Sequence, residues 1–400
     1  MNMNKGIYLV LIISLSGCNS VINETDYLKK VSENLDQIKS AAYYSTLVAS
    51  APGDTAKFTE PYESFFRIFI NPSDSLVGSA SATFSAEDTT KITDFYDGNV
   101  RGKVNWDKQY VKIDSFKHHP YPFRLVHYPF YTKINEIIKY TLTTSDSIQT
   151  DLKDYGDSVY FSLRIINKHV YFHIKPIVIQ NEYIPEDEVS RFDIWFNKTD
   201  NMPYRMRSKW HHTTAFESCN NAKFNFTKDT SLIAGNYFPS HFEIRYVDPY
   251  APGKAEQKTD MEGKLAPDWV LKDIDFNEVK LTDLKSKVLL IQFTGVGCGP
   301  CHHSLPFLKQ LVEENRTKDF EFISIETWSN NMEGLRRYQQ NNEFNFKFLK
   351  SSEEVKKAYH VSSVPSFFVL DENRIIRKVI KGYSKEITDG EIKESINKYL

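Results

Sequence analysis

The hydrophobic period changes along the chain, and that change restricts its fold more than any other feature. Through the middle, apolar residues recur at every second position. Phe66, Ile68 and Ile70 alternate with Phe65, Arg67 and Phe69, and Phe161, Leu163 and Ile165 with Tyr160, Ser162 and Arg164. Phe192, Ile194 and Phe196 alternate with Asp193 and Trp195, and Phe242, Ile244 and Tyr246 with Glu243 and Arg245. Period two predicts strands with one face buried. Asp97-Gly98-Asn99 and Asn197-Lys198-Thr199-Asp200 sit between such runs and read as hairpin turns. Ahead of the strands, Leu28, Val31, Leu35, Ile38 and Ala42 fall at helical spacing, which predicts one amphipathic helix over 26–42. Residues 248–264 turn to Pro, Gly, Ala and charge with no period, as a linker does.

Beyond that linker the pattern becomes α/β. Residues 288–293 form a continuous apolar strand, Leu305, Leu308 and Val312 mark a helix, and residues 320–325 form a second strand. Ser351 with Glu354 predicts a capping box ahead of a short helix, and Thr388 with Glu391 the start of a last one. Residues 366–370 and 374–381 read as a hairpin around Asp371-Glu372-Asn373. The expected architecture is therefore a mainly antiparallel, open-barrel-like β domain with an N-terminal helix (26–247), a linker (248–264) and an α/β domain (265–400).

Composition narrows the functions. Fifty basic residues against 52 acidic ones leave a net charge of −2, so no basic excess exists to neutralise nucleic-acid phosphates. A mean hydropathy of −0.47 rules out a polytopic membrane protein. Four cysteines in 400 residues do not make a disulfide framework, so each calls for its own explanation. Cys219, alone in the β-rich region, reads as a buried or free thiol. His169 and His173 share a strand face, and His118-His119 and His211-His212 are adjacent pairs. None has a carboxylate or Cys at a ligand-like spacing, so no metal site is expected.

At the amino terminus, Lys5 precedes an uncharged run over 7–13, followed by Leu15-Ser16-Gly17-Cys18. The run is too short to span a bilayer, which needs about 20 apolar residues, and reads as an export signal. Leu-Ser-Gly-Cys resembles the lipobox of bacterial lipoproteins. That resemblance implies removal of residues 1–17, acylation of Cys18 and a short tether over 18–25. It also implies a place in the cell envelope facing the periplasm, with Asn19 after the Cys pointing to the outer membrane. More than one acyl chain makes a stable anchor.

The chemistry lies at the first strand-to-helix junction of the last domain, Cys298-Gly299-Pro300-Cys301. Two thiols three residues apart on one helical turn can close a disulfide. The first stands at the helix start, where unpaired N–H groups and the macrodipole stabilise an anion. Its thiolate should form more readily than that of a free Cys, whose pKa is about 8.5. Cys298 is then the exposed nucleophile and Cys301 the more buried resolving thiol. A zinc half-site would need a second Cys or His pair, for which only His302 and His303 are at hand, and a structural disulfide would not need the strand–turn–helix setting.

Residues 265–400 resemble the membrane-tethered TlpA/ResA type of thioredoxin-like thiol–disulfide oxidoreductase. The resemblance rests on Ala266-Pro267, Leu281-Thr282-Asp283-Leu284-Lys285, the Cys-Gly-Pro-Cys run, Leu305-Pro306 and Val364-Pro365. It implies a thioredoxin fold and a cis Pro365 beside the dithiol, with the Val364 backbone pairing with substrate. It further implies no cofactor beyond the Cys298–Cys301 disulfide, extracytoplasmic protein thiols and disulfides as partners, and a membrane-linked electron donor. Three positions depart from that pattern. Gly297 replaces the usual Trp, Gln292 stands where thioredoxin has a buried Asp, and Ser304 where some relatives have Glu. His302 and Glu326 are then the remaining candidates for handling protons. The β-rich region resembles the periplasmic lipoprotein-carrier fold in its opening helix, its Tyr96-Asp97-Gly98-Asn99 turn, and the strand over 192–196 leading to Met202-Pro203. That likeness implies an unclosed barrel with a greasy concavity for acyl chains.

The leading expectation is a reductase of protein disulfides, because Gly-Pro between the cysteines resembles reducing thioredoxin, near −270 mV. One alternative is a peroxidase of the peroxiredoxin type. That chemistry usually has Thr or Ser three residues before the reactive Cys, where this chain has Gly295, with Thr294 one position too far. The other is a lipid- or protein-binding lipoprotein with an accessory redox domain.

Overall fold

In the computed structural model, residues 22–51, 54–119, 123–124, 126–179, 187–210, 213–227, 238–248 and 261–400 are described. Cys18 and its preceding apolar run, His211, His212 and most of the linker lie outside these residues.

The β-rich unit begins with α1 (Glu24–Asp36), followed by β1 (Ser40–Ala51), β2 (Asp54–Phe58), β3 (Tyr62–Ile70) and β4 (Ser79–Ser85). Next come β5 (Ile92–Tyr96), β6 (Arg101–Asn105), β7 (Tyr110–Asp114) and α2 (Phe130–Thr143). Eight strands complete it: β8 (Ile148–Asp154), β9 (Ser158–Ile166), β10 (His169–Phe172), β11 (Pro176–Ile179), β12 (Val189–Asn197), β13 (Pro203–Trp210), β14 (Thr213–Phe224) and β15 (Glu243–Val247).

One long sheet runs β15-β7-β6-β5-β4-β3-β1-β14-β13-β12-β9-β8, with β15 and β8 at its two ends and β2 paired to β1. The pairings along it are antiparallel apart from β15 with β7. Helices α1 and α2 bury Leu28, Val31, Leu35, Phe130, Ile134, Ile137 and Ile138 in one cluster with Tyr43, Phe66, Phe161, Phe192, Ile194 and Phe196 of the sheet. Residues on the alternate positions of these strands thus fill the sheet's helix-facing side.

Two sequence expectations change here. The opening helix was expected to reach residue 42 but stops at Asp36, where the Gln37 N–H closes it on Asn34 and Leu35 carbonyls. The stretch that follows, Ala41-Ala42-Tyr43-Tyr44-Ser45-Thr46, pairs on both sides, with β14 and with β3. Two ladders of backbone hydrogen bonds outweigh a helical spacing that Ile38 and Ala42 meet only by coincidence. The alternation at 242–246 also misleads. Phe242 is buried, but it precedes β15, and Ile244 and Tyr246 on that terminal strand are exposed by 50% and 80%.

The C-terminal unit contains β16 (Val270–Asp273), β17 (Glu278–Lys280), β18 (Val288–Thr294), α3 (Gly299–Glu314), β19 (Phe320–Glu326), α4 (Met332–Asn341), β20 (Lys347–Lys350), α5 (Glu353–Ala358), β21 (Ser366–Leu370), β22 (Ile376–Lys381) and α6 (Lys385–Tyr399). Its sheet order is β17-β16-β20-β19-β18-β21-β22. Strand β18 pairs parallel with β19 and antiparallel with β21, and every one of its residues is buried. Such a strand reads as an unbroken apolar run because both faces are covered. Met261 already packs into this unit's core.

Two caps fall elsewhere than the sequence suggests. Ser352, not Ser351, caps α5 by accepting from the Val355 N–H, while the Ser351 N–H is taken by the Glu326 carbonyl. Helix α6 starts at Lys385, before Thr388, whose hydroxyl instead accepts from the Ser384 N–H.

Candidate redox site

The end of β18 and the start of α3 are joined by Gly295-Val296-Gly297, and Cys298 is the N-cap of the helix. The Cys298 N–H donates to the Gly295 carbonyl at 2.9 Å. Pro300 occupies the first turn, where a missing N–H costs nothing. Cys298 and Cys301 are joined by a disulfide, with sulfurs 2.11 Å and Cα atoms 5.2 Å apart. The Cys301 N–H points at Cys298 Sγ from 3.2 Å. In the reduced protein this donor, with the other free N–H groups of the first turn, faces the sulfur that must carry charge. Across from the dithiol, the Val364 carbonyl oxygen is 3.8 Å from Cys298 Sγ. The Val364–Pro365 bond is cis.

The expected contrast between an exposed first and a buried second cysteine is small in the oxidised form: Cys298 is 6% exposed and Cys301 1%. With the disulfide closed, Cys298 Sγ lies against Cys301 on the helix turn and 3.8 Å from the Val364 carbonyl oxygen, and Gly297 is the exposed residue at its edge.

Beneath the dithiol lies a buried, uncharged network. Gln292 donates through Nε2 to Ser304 Oγ at 3.1 Å and accepts from Ser324 Oγ at 3.0 Å, while Ser304 Oγ donates to the Cys301 carbonyl at 2.7 Å. Glu326 does not reach into this network. Its carboxylate accepts the N–H groups of Val296 at 2.7 Å, Trp328 at 2.6 Å and Ser329 at 2.7 Å, tying the loop before Cys298 to the loop after β19. Burial raises its pKa above the usual range despite those three bonds. Glu326 is therefore a positioning group, and His302 is exposed on the first turn of α3.

Trp328 is a site residue that the sequence reading missed. Its indole lies against Gly295, so closely that a Cβ added there would fall 2.4 Å from the ring. It belongs to neither a period nor a motif. The only hint of it in the sequence is a large aromatic just after a strand that ends at the level of the dithiol.

The β-rich unit holds a second polar cluster. Glu217 accepts from Lys133 Nζ at 2.8 Å and from Ser45 Oγ at 3.4 Å, with His127 Nε2 at 3.9 Å. His127 is stacked on Phe66. Burial pushes the Glu217 pKa up, but Lys133, His127 and Ser45 outweigh it and leave it lowered. Cys219 is buried beside this cluster as a free thiol, its pKa driven far up by burial. His118 meets Asp248 at 2.5 Å, His169 lies 3.9 Å from Glu188, and His173 stacks on Tyr128. Among the described residues no three His, Cys, Asp or Glu side chains converge as a metal site would require. A cleft of about 270 Å³ over β3, β4 and β5 has a mixed lining, with Ser81, Asp94 and Arg101 beside Phe66, Phe95 and Tyr96. A second opening of about 220 Å³, between α1, α2 and β3, has a mainly apolar wall that includes Leu35, Ile38, Ile68, Ile70 and Tyr131.

Comparison with known proteins bears on the C-terminal third. Residues 261–396 match the Redoxin family. The chain is 25% identical over 136 residues to thiol-disulfide oxidoreductase ResA of Bacillus anthracis, covering 33% of this chain and 77% of that one. To ResA of Bacillus subtilis it is 26% identical over 126 residues, covering 31% and 70%. Among solved structures, the thioredoxin domain of a thiol-disulfide oxidoreductase from Bacteroides vulgatus aligns with a TM-score of 0.30 and 19% identity, covering 33% of this chain and 96% of that one. A thioredoxin-family thiol:disulfide interchange protein from Chlorobium tepidum aligns with a TM-score of 0.32 and 18% identity, covering 35% and 98%. Residues 261–396 are thus similar to the redoxins and to ResA, and the enzymatic activity these likenesses support is thiol–disulfide exchange.

Proposed function

We propose that this chain is a cell-envelope thiol–disulfide oxidoreductase that reduces protein disulfides through Cys298 and Cys301. The observation that carries the proposal is the pairing of the two sulfurs on one helical turn, with the Cys301 N–H aimed at Cys298 Sγ. In the reduced protein the Cys298 thiolate attacks a substrate disulfide. A mixed disulfide forms and one substrate thiolate leaves. Cys301, as thiolate, then attacks Cys298 Sγ, releases the second substrate thiolate and closes the Cys298–Cys301 disulfide. Two electrons and two protons pass from the dithiol to the substrate, and an external dithiol donor restores the reduced form. Gly299 and Pro300 keep the turn tight between the sulfurs, and Val364 with Pro365 forms the wall along which a substrate backbone runs.

The remaining parts of the proposal follow the sequence. Acylated Cys18 would hold the protein to the bilayer, facing the periplasm, most simply at the outer membrane. Among the described residues no helix is long and apolar enough to cross a membrane. The β-rich unit, an unclosed sheet with two helices on one side, is akin to a lipoprotein carrier in outline. Its packed core of helices on sheet supports a role in holding the redox unit away from the membrane, and the apolar opening between α1, α2 and β3 is where an acyl chain would enter on the alternative reading.

The test uses the full chain in detergent with dithiothreitol as donor. Insulin-disulfide reduction should fall to background in Cys298→Ser, and Cys301→Ala should retain client proteins as mixed disulfides. Wild-type reduction no faster than that of Cys298→Ser would overturn the enzymatic reading. A potential above about −150 mV in a glutathione titration would reverse its direction.

A further inference from the structure

The loop that carries the dithiol contains two glycines, Gly295 and Gly297, beside the nucleophile. Gly297 has φ +91°, a conformation that strains any L side chain, so this loop as folded cannot hold a large residue next to Cys298. Gly295 leaves open the space that the Trp328 indole occupies. The ring is 56% exposed, yet its backbone is fixed: the Trp328 N–H donates to Glu326, whose other oxygen takes the Val296 N–H of the dithiol loop. A second tie runs from Thr327 to the Thr294 carbonyl, through its N–H at 2.9 Å and its hydroxyl at 2.8 Å. The exposed part of this aromatic offers apolar area beside the dithiol loop that a bound peptide would bury. In the dithiol turn and the loops on either side of it, Gly297, Ser362 and Ser363 are exposed and Gly299, Pro300 and Val364 half-buried, with His302 exposed one turn into α3.

We infer that Trp328 is the substrate-docking platform of this enzyme, selecting disulfides carried in peptide segments with an apolar residue beside the cysteine. This rests on the disulfide-exchange reading above. The indole, against Gly295 of the dithiol loop, would cover the apolar side chain while the Val364 backbone beside Cys298 meets the chain, so Trp328 acts on specificity and takes no part in bond exchange.

The experiment compares reduction of insulin with reduction of a small disulfide, 5,5′-dithiobis(2-nitrobenzoate), by the full chain. In Trp328→Ala the ratio of kcat/KM for insulin to kcat/KM for the small disulfide should fall about ten-fold, with the loss in the insulin KM, and Trp328→Phe should restore part of it. Gly295→Ala leaves Trp328 in place but displaces its ring, and should lower the same ratio. An unchanged ratio in Trp328→Ala, or an equal loss on both substrates, would overturn the inference. Failure of the wild-type chain to reduce either substrate would instead sink the enzymatic reading.

Discussion

Beneath the dithiol, Gln292, Ser304 and Ser324 meet through neutral hydrogen bonds, whereas under α2 of the β-rich unit Glu217 meets Lys133 as a buried ion pair. A second ionised site in that unit joins the fully buried Asp193 to Arg191, Arg207 and Tyr160. Burial alone would raise the Asp193 pKa, but the Tyr160, Ser162 and Arg207 partners bring it below the ordinary value. The contrast separates two uses of buried polarity. The Glu217 cluster ties sheet to helix and the Asp193 cluster ties neighbouring strands, and each depends on its partners being present. The neutral network completes the packing under the dithiol turn and brings no ionised side chain to it.

Removing one charge should have the largest effect. Lys133→Met strands the Glu217 carboxylate and should destabilise the protein by about 3–5 kcal/mol in urea unfolding at pH 7. Adding Glu217→Gln should recover much of that loss. A Lys133→Met cost near zero would mean that the pair is not ionised. The neutral network should be less demanding. Gln292→Ala leaves the Ser304 and Ser324 hydroxyls short of partners and should cost about 1–3 kcal/mol. It should not move the pH at which iodoacetamide labels reduced Cys298. A shift in that profile would give the network an electrostatic role after all.

The mildest expected effect concerns acid. Burial, opposed by Glu217 and assisted by Lys133, lowers the His127 pKa from 6.5 to about 4, and burial with Lys133 does the same to His173. Both rings are favoured as neutral in the fold. Their contribution is therefore intact above pH 6.5 and lost as pH falls toward 4. Thermal melts of the full chain should decline across that window, and His127→Phe, which can keep the stack on Phe66, should flatten part of the decline. An identical slope in the variant would assign the acid loss to other groups.

Particular residues mark where sequence reading succeeds and stops. The strands around Phe161 and Phe192 were legible because one face of each is covered, which makes burial follow period two. The run at 242–246 has the same period and fails, since β15 ends the sheet with little covering it. The dithiol was legible because its chemistry is local: two sulfurs, one turn and one helix start. Trp328, the Glu326 clamp and the Glu217–Lys133 pair were not. Each depends on residues brought together across strands, between 30 and 84 positions apart for Val296–Glu326 and Lys133–Glu217. The Ser351 cap was misplaced by one residue because a backbone bond to Glu326, invisible in the sequence, keeps Ser351 in the preceding loop.

Where the chain enters the C-terminal unit it is fastened to β22. The Gly263 N–H donates to the Ile376 carbonyl, the Ile376 N–H to the Lys264 carbonyl, and the Ala266 N–H to the Arg374 carbonyl. β22 is the outermost strand of its sheet, while β18, with the dithiol turn at its end, lies two strands further in. A pull on the segment entering this unit would therefore load the margin of the sheet and not the strand that leads into the dithiol.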